Sequence, residues 1–64
     1  MTIDNLTAEL LTDGWTVVDA AGGRWWPGDE AREAIARAEE EGQDPAEVVV
    51  SICRTTPMSG RWVA

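Results

Sequence analysis

The chain has 64 residues, with twelve acids against five arginines, no lysine, no histidine and one cysteine, for a net charge of −7 at pH 7. That length admits one domain with one small core, burying only about 60% of the unfolded surface. The charge excludes binding to nucleic acid or an anionic membrane through simple electrostatics, and the composition excludes an internal disulfide and a His/Cys metal centre.

In chain order, MTIDNLTAELL lacks basic residues and a long apolar run, so neither a signal peptide nor a transmembrane segment is expected, and the expected location is the cytoplasm of a host cell. Ile3, Leu6, Leu10 and Leu11 recur at helical spacing before an Asp13-Gly14 stop, which predicts a short helix over 4–12. A rival reading makes Asp13-Gly14 the tip of a hairpin between Glu9-Thr12 and Trp15-Asp19. The helix is preferred because Thr7-Ala8-Glu9-Leu10-Leu11 does not alternate. Trp15-Thr16-Val17-Val18-Asp19, aromatic and β-branched, reads as a strand. Ala21-Gly22-Gly23 turns the chain into a second strand, Arg24-Trp25-Trp26.

After Pro27-Gly28, Asp29 is a good N-cap for a main helix over 29–41. Its small apolar stripe, Ala31, Ala34, Ile35 and Ala38, would let it lie close against a sheet, with Glu30, Glu33, Arg37, Glu40 and Glu41 toward solvent. Gly42 is the helix stop. Gln43-Asp44-Pro45 connects, with one further helical turn begun at Asp44. Val48–Cys53 reads as the strongest strand, 54–60 as a loop and Arg61-Trp62-Val63 as a short edge strand. The fold class is α+β: a small antiparallel sheet of three to four strands, with one main helix (29–41) and a short N-terminal helix, mainly on one face.

Catalytic chemistry finds few carriers. The usual neutral-pH base and the Schiff-base amine are both missing. Gly22-Gly23 is a turn rather than a phosphate cradle, and so small a core offers no deep pocket to raise a carboxylate's pKa. Cys53 suits a core better than a nucleophile's position. The expectation is a non-enzymatic protein without cofactor.

The charge is lopsided. Residues 1–47 hold all twelve acids and three arginines, net −9, while 48–64 hold Arg54 and Arg61 alone, net +2. Within the main helix, Glu39, Glu40 and Glu41 occupy the last turn, where the macrodipole favours cations. Each acid there costs about 0.3–1 kcal/mol at low salt, and Arg37 returns about 0.2–0.5 kcal/mol per pair with Glu33, Glu40 or Glu41 at three- and four-residue spacing. A surface built to meet a basic partner accounts for keeping them, and Asp29, Glu30, Glu33, Asp44 and Glu47 extend it. Residues 29–41 carry six acids and two arginines, net −4. Duplex DNA carries roughly twelve phosphates over the same ~20 Å, so the helix is a partial mimic.

Among the four tryptophans, Trp25 and Trp26 are adjacent on a strand and point to opposite faces. One enters the core if both helices share a face, and an outward one is a typical binding hot spot.

The run LLTDGWTVVDAAGGRWWPGDEAREAIARAEEEG, with the size, acidity and α+β layout of the chain, resembles the small acidic anti-CRISPR proteins of phages and mobile elements, among them the inhibitors of type I-C systems. That group has no common motif, and no functional residue carries over. The resemblance implies binding to a CRISPR surveillance complex at the DNA- or PAM-reading surface of its large subunit, excluding target DNA. The contact residues, read from charge and exposure alone, are Asp29, Glu30, Glu33, Glu39, Glu40, Glu41, Asp44, Trp25 and Trp26. A second reading is an interaction module, such as an antitoxin or assembly subunit, bound through exposed tryptophan and a sheet edge. The chain is expected to be a monomer or a homodimer, and to contact neither nucleic acid nor membrane directly.

Overall fold

Gly14 sets the first reversal of the chain. Its φ of +122° suits glycine alone, and the two-residue loop Thr12-Asp13 folds β1 (Thr7–Leu11) back on β2 (Gly14–Val18). The computed structural model describes residues 5–63, and in them this hairpin replaces the helix expected over 4–12. Residue 4 lies outside the described residues. Five ladder pairs run from Thr7↔Val18 to Leu11↔Gly14. The physical reason is visible in Leu6, Ala8 and Leu10: these alternate, and Ala8 and Leu10 stand opposite Val17 and Trp15. An isolated nine-residue helix is marginal in water, whereas the strand gains a partner along its whole length.

β3 (Arg24–Pro27) and β4 (Gly60–Val63) complete a four-stranded antiparallel sheet in the order β1-β2-β3-β4. The α+β class and the antiparallel sheet are those expected. Asp19 organises the β2–β3 turn, its Oδ1 accepting from the N–H of Ala21 at 3.1 Å and of Gly23 at 2.8 Å. Between β3 and β4 the chain leaves the sheet to form α1 (Asp29–Glu40), α2 (Pro45–Thr55) and a 3-10 turn over Pro57–Ser59.

α2 overturns the strand expected over Val48–Cys53. Its start is strongly specified: Asp44 is the N-cap, its Oδ1 accepting from the Ala46 N–H at 3.0 Å, and Pro45 occupies the first turn. Val49 and Cys53, one turn apart, are buried. Packing of that stripe against the sheet outweighs the few tenths of a kcal/mol by which each β-branched residue disfavours a helix. α1 also begins differently in detail. Gly28, not Asp29, is the N-cap, and Asp29 is the first helical residue. Of the expected stripe, Ala31, Ile35 and Ala38 are buried, while Ala34 is exposed.

The core lies between the helices and one face of the sheet. Val17 and Trp25 from the sheet meet Ala31, Ile35, Val49 and Cys53 from the helices, with Leu6, Ala8 and Trp15 packed around them. Alternation along the strands then assigns the two faces. Leu6, Ala8, Leu10, Trp15, Val17, Trp25 and Trp62 face the helices. Thr7, Glu9, Leu11, Thr16, Val18, Arg24, Trp26, Arg61 and Val63 lie on the other face, over which no described element packs.

Candidate partner-binding surface

α1 presents its acids because the buried stripe fixes its rotation. With Ala31, Ile35 and Ala38 inward, Asp29, Glu33 and Glu40 fall on the side directly opposite, at separations of four and seven residues. Glu30 and Glu41 lie on one flank and Glu39 on the other. All six, together with Asp44 and Glu47, are exposed. The helical layer, residues 29–55, thus carries eight carboxylates and three arginines, net −5.

The end of α1 explains how three glutamates are tolerated there. Gly42, at φ +79°, closes a Schellman motif. The Gln43 N–H donates to the Ala38 carbonyl at 2.8 Å and the Gly42 N–H to the Glu39 carbonyl at 3.2 Å. These bonds satisfy carbonyls whose partial negative charge would otherwise face the acids. Arg37 contributes less than its spacing suggested. The ion pair found among the described residues joins Arg24 to Glu9, and Arg37 makes none.

That pair belongs to a polar cluster on the bare sheet face. Arg24 Nη1 donates to Glu9 Oε1 at 2.6 Å and to Thr16 Oγ1 at 2.8 Å, and Thr16 Oγ1 donates to the Glu9 carbonyl at 3.1 Å. Thr16 is completely buried as a result. Arg24 and Arg61 against Glu9 give this face net +1, opposite in sign to the helical layer. The sequence signal for the cluster was the hairpin register, in which residues 9 and 16 are partners. It is readable only when 7–11 is taken as a strand.

The expected contact residues therefore divide. Asp29, Glu30, Glu33, Glu39, Glu40, Glu41 and Asp44 share the helical layer. Trp26 lies half-buried on the bare sheet face. Trp25 is a correction: it is 0% exposed and its Nε1 donates to the Pro57 carbonyl at 3.1 Å, so it is a core residue that no partner can touch. Alternation assigned the pair to opposite faces, and the helices on the Val17 side decide which one is inside.

A cleft of about 190 Å3 separates α1 from the β1–β2 turn, lined by Asp13, Trp15, Arg32 and Glu39 among others. Arg32 Nε is held by the Pro27 carbonyl at 3.2 Å. Among the described residues no group of three or more His, Cys, Asp or Glu side chains is placed to hold a metal ion, and no helix is long and apolar enough to cross a membrane.

Cys53 is buried on α2, and burial pushes its thiol pKa up from the ordinary 9.0, with Arg54 opposing and Asp19 assisting. A reactive cysteine needs the reverse shift and exposure. The raised value means that the folded state holds this proton more tightly than the unfolded chain does. The associated stability is fully present below the unfolded thiol's pKa and is lost as pH rises through the folded value. At pH 8, iodoacetamide should label Cys53 at least tenfold more slowly in the native protein than in about 6 M urea. Equal rates would contradict its burial.

No protein family, curated relative or solved structure matches the chain.

Proposed function

We propose that the protein is a non-enzymatic inhibitor that sets its acidic helical layer on a basic, nucleic-acid-reading surface of a partner protein. The specific reading is an anti-CRISPR acting on the type I-C surveillance complex, at the DNA-reading surface of the large subunit. The observation that supports it is the segregation of charge: net −5 on the helical layer against +1 on the bare sheet face. Solubility alone would not require the acids to gather on one layer. Nor would it call for three of them at a helix end, where the macrodipole favours cations and the Schellman bonds only lessen the penalty.

Physically, such a surface competes with DNA by occupying the cations that read phosphates. α1 has 12 residues, about 18 Å of helix, enough to cover a groove that reads a few phosphates. The rest of the inhibition is steric. The second reading, an interaction module bound through exposed tryptophan, draws its support from Trp62, which is 39% exposed on β4, and differs in salt dependence.

The test is to titrate purified type I-C surveillance complex with the protein before adding target duplex. The expected result is dose-dependent loss of DNA binding. Direct affinity between protein and complex, measured without DNA, should fall about tenfold or more between 50 and 200 mM salt. Undisturbed DNA binding at saturating protein would overturn this partner, and a tight salt-insensitive complex would overturn the electrostatic mechanism.

A further inference from the structure

We propose that the bare sheet face is a homodimer interface, in which a second copy of this chain packs face to face about a two-fold axis running along the strands. The inference is independent of the proposed function, because it concerns the opposite side of the molecule.

The face is apolar in parts and almost free of acids. Leu11, Val18 and Trp26 are half-buried on it, and Val63 is 47% exposed. Its one described acid, Glu9, is already engaged by Arg24. For a chain of net −7, this is the surface on which two copies meet with least repulsion, and it leaves the two acidic layers on the far sides of the pair.

The register supplies a specific complementarity. Trp26 pairs with Arg61 and Glu9 with Thr16, and continuing the Val17↔Trp25 ladder places Thr16 beside Trp26. One row therefore crosses the sheet as Glu9, Thr16, Trp26, Arg61, with the acid at one edge and the cation at the other. A two-fold axis along the strands through the middle of this row sets each Glu9 over the Arg61 of the other copy, twice by symmetry, and each Trp26 over the Arg24 side chain that bonds the buried Thr16. An axis across the strands would instead set Glu9 on Glu9 and Arg61 on Arg61. The two sheets would then pack as an aligned sandwich.

Size sets the expected strength. Four strands of four or five residues, at about 4.8 Å spacing and about 3.3 Å per residue, make a face of roughly 300 Å2 in plan. Standard interfaces bury about 800 Å2 of accessible surface per partner, so a weak dimer, forming at roughly 100 µM or above, is expected. It would display two acidic layers facing apart, a bivalent ligand for a partner with repeated sites.

Sedimentation equilibrium of the full chain from about 10 µM to about 1 mM brackets the affinity of so small an interface. The wild type should pass from one chain's mass toward two. Trp26→Ser should remove association over this range, and Arg61→Glu, at an exposed position, should weaken it about tenfold or more by making both symmetric contacts repulsive. A wild type that stays monomeric throughout would overturn the proposal. So would a dimer indifferent to both substitutions, which would place association at an open sheet edge. A monomer whose Trp26→Ser variant loses the surveillance complex would overturn it too, assigning the face to a foreign partner.

Discussion

Replacing Trp25 by alanine is expected to leave the chain unfolded at room temperature without denaturant. The indole is the largest fully buried side chain and sits where both sheet and helices meet. Truncating a buried tryptophan costs about 3–5 kcal/mol, and losing the Nε1 bond to Pro57 removes about 0.5–1.5 kcal/mol more. A core of this size rarely supplies more than about 3–5 kcal/mol of net stability, so the change consumes all of it. Far-UV circular dichroism during urea titration should show no folded baseline for Trp25→Ala. Trp26→Ala, one residue along on the other face, should keep a cooperative transition. A Trp25→Ala protein that unfolds cooperatively with a midpoint near wild type would show that the core is placed wrongly.

Gly60→Ala is expected to be nearly as damaging, for a reason of space. A methyl at this position would overlap the six-membered ring of Trp25 and come within 2.5 Å of the Trp26 carbonyl oxygen. The ring is fully buried and pinned by its bond to Pro57, and the carbonyl belongs to the adjacent strand, so neither can withdraw without moving β3. Overpacking of a core typically costs about 1–3 kcal/mol, and with backbone in the way the upper end applies. The predicted signature is local as well as global: amide exchange in Gly60–Val63 and in Trp25–Trp26 should accelerate more than in the β1–β2 hairpin. Wild-type stability and exchange in Gly60→Ala would contradict the close approach of β4 to the Trp25 ring.

Much of this architecture is legible in the residues, unevenly. α1 is plain because the spacing of Ala31, Ile35 and Ala38 and the Gly42 stop agree with one another. β2, β3 and β4 fall within a residue of their expected bounds because aromatic and β-branched runs end at glycine and proline. Two elements exchange type. Val48–Cys53 is five apolar residues interrupted by Ser51, a length at which periodicity cannot separate a buried strand from a buried helix. The Asp44-Pro45 start favours the helix, with Asp44 as N-cap and proline in the first turn. Thr7–Leu11 fails conversely, because Leu11 breaks an alternation that Leu6, Ala8 and Leu10 otherwise keep. Asp13-Gly14 does signal a hairpin onto β2, the rival reading that the ladder bears out, but the broken alternation ranks it behind the helix.

The acidic surface was readable as composition but not as a layer. Asp44 and Glu47, expected to extend the acidic region by nearness in the chain, share one layer with the α1 acids because 45–55 is helical and lies beside α1. The positive balance of the opposite face depends on Arg24, Arg61 and Glu9 sharing it, which requires the true register of β1. Trp25 lies in the core and not at a contact surface, because alternation separates it from Trp26 without saying which side the helices take.

On the proposed function, the carboxylates at the end of α1 serve a partner rather than the stability of the fold. The triple variant Glu39→Lys, Glu40→Lys and Glu41→Lys separates the two roles, since cations at a helix C-terminus are favourable by about 0.3–1 kcal/mol each at low salt. Its thermal midpoint and its inhibition of target-DNA binding by the type I-C surveillance complex should be measured together. The expected variant melts no lower than wild type and no longer keeps the complex from DNA. A variant that inhibits as well as wild type would contradict it.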